Sequence, residues 1–249
     1  MMTAKEFVSK CVDIAKNYKT CYVWGGCGMP ITANTVQDKL YQYPNENKTF
    51  CANARQLIGK NAWMFDCVCT IKSVLWGWKG EWNKYYGGAI YCSNGVPDVS
   101  ADGMINLCKN VSTNFSTLTV GEALWLPGHI GVYAGDGLAV ECTPAFDNAM
   151  HDNGVKITAV ANIGTKSGYP SRTWQKHGKL PWVDYVQADT DEHRNSKIIV
   201  NNKEYGIDRI LQDGRNYFQL RQLVDILNKN GTNISVSNQG SIAVLTVSK

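Results

Sequence analysis

The stretch NAWMFDCVCTIKSVLWGW, Asn61 to Trp78, sets two cysteines at the start of an apolar run. From Asp66 onward the apolar positions recur with helical periodicity, so the segment predicts a helix that opens on Cys67, with Asp66 as a natural N-cap. A helix N-terminus carries about half a positive charge and several N–H groups without intrahelical partners. A thiol held there is expected to ionise more easily than free cysteine. The same N–H groups can hold the oxyanion that forms when a thiolate attacks a carbonyl. Cys69 points roughly 200° around the helix from Cys67, which assigns it to the core and keeps the pair from facing one metal ion. On helix logic alone, nucleophile and buried packing thiol both stand as readings of Cys67.

A nucleophile needs a base, and the chain has four histidines. His129 lies in LPGHIGVYAGDG, at the start of a strand that turns back through LAVEC. If the loop is Gly135 to Gly137, Glu141 pairs with Gly131 and lies diagonal to His129 on the same face. A different loop length moves Glu141 to the other face. A carboxylate beside the imidazole would fix its tautomer and stabilise its protonated form. His151, His177 and His193 fall in loop-like or linker contexts and read as surface or structural residues.

Outward from this pair, helices precede strands. Residues 3 to 18 predict an amphipathic helix, with Thr3 as N-cap, Glu6 three positions on, and Phe7, Val8, Cys11, Ile14 and Ala15 on one stripe. CYVWGGCGMP breaks that pattern. Residues 31 to 63 read as polar and irregular, weakly helical near NARQLIGKNAW, and as a groove wall instead of core. SNGVPDVSADGMINLCKN predicts a turn, then a helix capped by Asp98 or Ser100. EALWLPGHIGVYAGDGLAVECT reads as a hairpin, and NGVKITAVANIG and KLPWVDYV supply further strands. Helices followed by a run of strands argue for an α+β fold. QADTDEHRNSK lacks apolar anchors, which sets a first domain at 1–187, a linker at 188–196 and a small domain at 197–249. The small domain reads as ββαββ, its helix presenting Leu220, Leu223, Val224 and Leu227 on one face with Gly231 past its end.

At 249 residues and 44% hydrophobic, the chain can bury a core without a disulfide or metal staple. The net charge of +4 favours an anionic polymer as partner and equally fits an ordinary surface balance. No Lys/Arg run with interleaved aromatics occurs, so nucleic acid is not expected. No apolar stretch is long enough to span a membrane, and the N-terminus lacks the apolar core of a signal peptide. Nine cysteines without a CxxC or zinc-finger spacing read as reduced thiols of a protein made in a cytoplasm. Among the eight tryptophans, Trp24, Trp76, Trp78, Trp82 and Trp125 are candidate sugar or peptide contacts, with core packing the alternative for each.

Taken in order, YVWGG, FDCVC, PGHIGVYAGDG and VEC resemble the NlpC/p-sixty family of papain-like cysteine peptidases. Its pattern is Tyr-x-Trp-Gly-Gly, then Asp-Cys-Ser-Gly, then Gly-His-Val-Gly-Ile-Tyr with a polar residue further on. The likeness runs over residues 1 to 186. It implies a papain-like catalytic domain, N-terminal helices packed on an antiparallel sheet, with Cys67 as nucleophile, His129 as base and Glu141 orienting His129. It also implies that Tyr22 lines the site and assists the oxyanion, that Asp66 is the aspartate ahead of the nucleophile, and that no metal or cofactor takes part. Val68 and Cys69 stand where the family has Ser-Gly, and Glu141 where it more often has histidine, asparagine or glutamine.

The substrates so implied are peptide stems of bacterial peptidoglycan, cut after a D-glutamate joined through its γ-carboxyl and ahead of a diamino acid. The layout is similar to the lysis enzymes of phages of Gram-positive bacteria, made in the host cytoplasm and acting at the wall. An N-acetylmuramoyl-L-alanine amidase of the CHAP class and a non-catalytic wall binder are the alternatives. The tail VNNKEYGIDRILQDGRNYFQLRQLVDIL resembles a stalk-like domain related to the N-terminal domain of copper amine oxidases, with Gln219 in place of a proline. The tail holds no histidine or cysteine, so no copper is implied; wall attachment or self-association into a homodimer is.

Overall fold

A computed structural model describes residues 1–146, 154–185, 194–212, 215–218, 220–239 and 242–247. The chain mixes helices and sheets in an α+β arrangement. It divides into two compact units, Met1–Tyr185 and Val186–Lys249.

The first unit opens with helix α1 (Ala4–Asn17). Thr3 Oγ1 accepts the Glu6 N–H at 3.2 Å and Glu6 Oε2 accepts the Thr3 N–H at 2.9 Å. This reciprocal cap satisfies donors the helix leaves open, and Phe7, Val8, Cys11 and Ile14 enter the core. Residues 31 to 63 are not irregular: they hold α2 (Ala33–Gln42) and α3 (Asn47–Arg55). Nor are they excluded from the core, since Ile31, Val36, Cys51, Ala54 and Leu57 are buried. The polar residues between them face outward or serve as buried hydrogen-bonding groups, which hid the helical stripe.

A small sheet sets up the start of the next helix. Lys19–Tyr22 runs parallel to Ala62–Phe65, which pairs antiparallel with Cys27–Pro30 on its other side. The central strand is wholly buried and leads through Asp66 into α4 (Cys67–Leu75), all nine of whose residues are buried. The helix has no polar face because it is packed on every side, against α1 and the strands Cys27–Pro30, His129–Gly135 and Leu138–Cys142. Its one charge, Lys72, is paired with Asp98 and donates to the Val99 carbonyl at 3.1 Å. With Asp98 committed there, Ser100 caps α5 (Ala101–Leu107).

The main sheet has seven strands in the order Ser171–Arg172, Val155–Val160, Leu138–Cys142, His129–Gly135, Ala123–Leu126, Lys176–Lys179 and Lys109–Ser112. It is antiparallel apart from the short Ser171–Arg172 edge. The segment read as one hairpin is three strands, with Pro127 and Gly128 between the first two. The second turn is the two residues Asp136 and Gly137, at φ 52° and 75°, the left-handed values a tight hairpin needs. A register shift between Tyr133 and Gly135 absorbs one residue, so Gly131 still lies opposite Glu141.

The second unit is βββαββ instead of ββαββ, because Arg215–Phe218 forms a strand of its own beside Lys203–Gln212 and Arg194–Val200. Helix α6 (Leu220–Asn228) follows, and then the hairpin Ile234–Gln239 with Ile242–Val247. On α6 the buried residues are Val224 and Ile226; Leu220, Leu223 and Leu227 are half-buried. The expected linker 188–196 ends sooner, since the first strand begins at Arg194; residues 186–193 lie outside those described. Among the described residues no helix is long and apolar enough to cross a membrane.

Cys27 and Cys69 form a disulfide, with Cα atoms 4.7 Å apart, which corrects the reading of nine reduced thiols and of Cys69 as a packing residue. The cause is tertiary: the strand Cys27–Pro30 lies against the first turn of α4. Closing a loop of sequence separation 42 is worth about 4 kcal/mol through the unfolded chain. We expect reductant, and equally the double substitution Cys27→Ser with Cys69→Ser, to lower unfolding stability by that order in a denaturant titration. No change on reduction would exclude the bridge.

Candidate active site

Asp66 ties two segments together. Its Oδ1 accepts the Cys69 N–H at 2.6 Å, as an N-cap does, and its Oδ2 accepts the Gly25 N–H at 2.8 Å. Its own N–H donates to the Gly26 carbonyl at 2.9 Å, and the Val23 N–H donates to the Phe65 carbonyl at 2.9 Å. The loop Tyr22–Gly26 is thereby wrapped around the start of α4. Burial pushes the Asp66 carboxyl up, against the pull of Lys72 and of the N–H groups of Cys69 and Gly25. Gly25, at φ +74°, is needed here: a Cβ would stand 2.5 Å from the Tyr43 ring. Asn47, fully buried, completes the loop's support. Its side chain accepts the Trp24 N–H at 2.9 Å and donates to the carbonyls of Trp24 and Lys39, each at 3.0 Å.

Cys67 is only 6% exposed. Burial, followed by the adjoining Asp66 carboxylate, pushes its thiol up to about 12, although the backbone N–H groups of Ile130, Val68 and Cys67 itself pull the other way. The expectation of a lowered thiol pKa is therefore reversed. A helix terminus favours an anion by only about 0.3 to 2 kcal/mol; here the loss of hydration of the buried thiolate, with a carboxylate next door, outweighs it. The Ile130 N–H that reaches the sulfur belongs to the residue after His129, so the start of α4 and the start of the His129 strand meet at the thiol.

His129 Nε2 lies 2.6 Å from Glu141 Oε2, and the imidazole stacks on Trp174 at 5.5 Å between ring centres and 10° between planes. Glu141, 1% exposed, also accepts the Thr158 hydroxyl on Oε1 at 2.7 Å. Arg172 Nε is 2.6 Å from Glu141 Oε2, an ion-pair distance, but its N–H is misdirected for a hydrogen bond and the contact is coulombic. Burial alone would raise the Glu141 carboxyl. The hydrogen bond and charge of His129, with Arg172 and Thr158, outweigh that and hold it below the usual carboxylate range. An ionised carboxylate only accepts, so His129 carries its proton on Nε2 and leaves Nδ1 as the basic nitrogen. Gly131 makes room for this arrangement, since a Cβ there would come within 2.9 Å of the Trp174 ring.

Arg172, Trp174 and Thr158 are absent from the sequence reading. Thr158 pairs with Ala139 while Lys156 pairs with Glu141, so the alternation of VKITAV puts Thr158 near Glu141 only once that register is known. SRTWQK carries no local signal of its role.

A cavity of about 550 Å³ adjoins the thiol, lined by Tyr22, Trp24, Asp66, Cys67 and Gly128 among others. Tyr22 is buried, its ring edge-on to Phe50 at 4.8 Å. Burial, and then the neighbouring Cys67, Asp66 and Cys142, drive its phenol pKa far up, so it stays a proton donor. Trp24 is 43% exposed at the cavity. Trp78, expected among the substrate contacts, is core: its Nε1 donates to the Gly28 carbonyl at 2.8 Å and its ring packs edge-on against Tyr18, Trp63 and Phe65. Trp76 is buried in the same way, donating to the Val96 carbonyl at 2.9 Å. Trp125 donates to Asp102 at 2.8 Å, and Trp82 stands edge-on to Trp63 at 5.3 Å. His177 is a buried strand residue between Glu122, at 2.6 Å, and the Asn114 carbonyl, at 3.0 Å. His151 and His193 lie outside the described residues, among which no group of three His, Cys, Asp or Glu side chains could hold a metal ion.

Compared with family models, with curated proteins and with solved structures, the chain finds no significant match.

Only the thiolate is alkylated, so a thiol raised to about 12 should react slowly near neutrality and about tenfold faster per pH unit above it. Mapping iodoacetamide adducts by mass, with exposed Cys92 as the internal reference, should show Cys67 lagging at pH 7. A Cys67 rate already level between pH 7 and 9 would mean a standing thiolate.

Proposed function

We propose that the protein is a papain-like cysteine peptidase, of the NlpC/p-sixty kind, that cuts the peptide stems of bacterial peptidoglycan at a γ-D-glutamyl bond. One observation carries the reading. Cys67, at the capped start of a buried helix, meets the backbone N–H beside His129, whose Nε2 is held 2.6 Å from a buried Glu141. Nucleophile, base and orienting carboxylate are the three parts such chemistry needs.

The raised thiol implies activation on demand instead of a resting ion pair. As the sulfur attacks the scissile carbonyl, its proton passes to His129 Nδ1, and Glu141 stabilises the imidazolium. The N–H groups at the start of α4 and the Tyr22 hydroxyl are the donors available to the oxyanion. His129 then protonates the leaving amine, the C–N bond breaks, and a thioester remains on Cys67. Water, deprotonated by His129, hydrolyses the thioester and frees the new carboxylate. Arg172 and Trp174 keep the Glu141–His129 pair in place. The second unit serves wall attachment or self-association, and a phage lysis enzyme produced in its host and acting at the wall is the setting that fits.

Purified walls incubated with the protein should release fragments whose new N-terminus is the diamino acid; an N-terminal L-alanine would favour the amidase. Cys67→Ala should abolish release and His129→Ala should cost roughly 10²- to 10⁴-fold. Full wall clearing by Cys67→Ala would refute the peptidase. Chelators should leave the rate unchanged. Removal of residues 186–249 should weaken sedimentation with whole walls while sparing hydrolysis of soluble stems; equal sedimentation would remove the attachment role.

A further inference from the structure

Two lysines line the cavity beside Cys67, and their charges are met differently. Lys72 is paired with Asp98 and bonded to the Val99 carbonyl. Lys39, from α2, is 6% exposed, yet its ammonium donates only to the neutral Gln42 Oε1 at 2.7 Å and lies 5.9 Å from the Tyr43 ring centre. Among the described residues it has no carboxylate within ion-pair distance. A buried ammonium without a counter-charge is costly, and burial pulls Lys39 below the ordinary lysine range even though Asp66, Asp98 and Asp38 favour its charge from a distance.

The carboxylates of the cavity are not free to change this. Asp66 is committed to Cys69 and Gly25, Asp98 to Lys72 and Tyr91, and Asp102 to Trp125 and Gly128. Tyr22, Tyr43 and Tyr86 line the same space, and among the described residues their hydroxyls carry no hydrogen bond. The cavity therefore offers one unpaired cation and several open hydroxyl donors, the chemistry that receives an anion.

We propose that Lys39 is a specificity-determining residue that pairs with a free carboxylate on the substrate, next to the bond Cys67 attacks. The inference rests on the peptidase reading and adds a discrimination to it. A glutamate linked through its γ-carboxyl keeps its α-carboxylate, and the amidated form of the same residue does not. The carboxylate supplies the charge Lys39 lacks; the amide leaves the ammonium buried and uncompensated.

The test uses two soluble stem peptides that differ only in an α-carboxylate or α-carboxamide on the γ-linked glutamate. The full-length wild type should favour the carboxylate in kcat/KM by roughly 10- to 100-fold, the range of a hydrogen bond to a charged group. In Lys39→Met that ratio should fall close to one, and Lys39→Arg should retain part of it. Each ratio is internal to one protein, so altered stability cancels, and Lys39→Gln replaces the methionine variant if that fails to fold. Equal rates on both peptides in the wild type overturn the inference and leave the peptidase standing. A ratio unchanged in Lys39→Met overturns it as well. No cleavage of either peptide by the wild type sinks the peptidase reading, whereas a carboxylate preference measured by calorimetry with Cys67→Ala would still support the Lys39 site.

Discussion

The buried carboxylate of Asp66 is the constraint on which the rest of the first unit depends. Each of its oxygens holds one segment, Oδ1 the first turn of α4 and Oδ2 the backbone of Gly25. A carboxylate taken out of water is tolerated only when it is paired or fully hydrogen-bonded. The two N–H groups, reinforced by Lys72 nearby, provide that compensation. Loop and helix are thus locked to each other through one side chain, and the thiol of Cys67 is fixed relative to Tyr22 and Trp24. The same charge adds to burial, the larger cause, in holding that thiol un-ionised.

Across the site the second buried carboxylate behaves in the opposite way. Glu141 is surrounded by His129, Arg172 and Thr158, and their combined pull exceeds the effect of burial. Asp66 has cations only at a distance, Lys72 and Lys39, and stays raised. The two buried carboxylates are thus driven apart in pKa by their surroundings. On the proposed peptidase reading, Glu141, held below the usual carboxylate range, orients the imidazole, and Cys67 gives up its proton when that imidazole takes it. Trp174 holds the ring flat from one side, and Gly131 is the small residue that lets the indole come close.

Residues 31–63 supply Lys39, Gln42 and Tyr43 to the cavity lining. Asn47 braces the Trp24 backbone from beneath, and α2 brings Lys39 and Tyr43 to the wall. The disulfide between Cys27 and Cys69, both also in the lining, joins the strand Cys27–Pro30 to α4. The proposed substrate preference would thus reside in a segment of polar composition, separate in sequence from Cys67 and His129.

Local chemistry made several features legible without coordinates. The Thr3–Glu6 cap, the Asp66 cap ahead of Cys67 and the turn through Asp136 and Gly137 follow from short-range residue types, because caps and tight turns involve neighbours in the chain. Opposing Gly131 to Glu141 followed from a three-residue loop, whereas the chain reaches the same register through a two-residue turn and a shift between Tyr133 and Gly135 that no local signal announces. The sequence alone therefore determined an α+β chain with a capped cysteine helix and a histidine strand carrying a nearby carboxylate. Tertiary structure decided the rest. The direction of the Cys67 shift depends on how completely the helix start is sealed. The Cys27–Cys69 bond, the burial of Trp78, the Arg172–Trp174 support and the unpaired charge of Lys39 depend on segments distant in sequence. Burial and charge compensation are properties of the packed surroundings, and no window of neighbouring residues contains them.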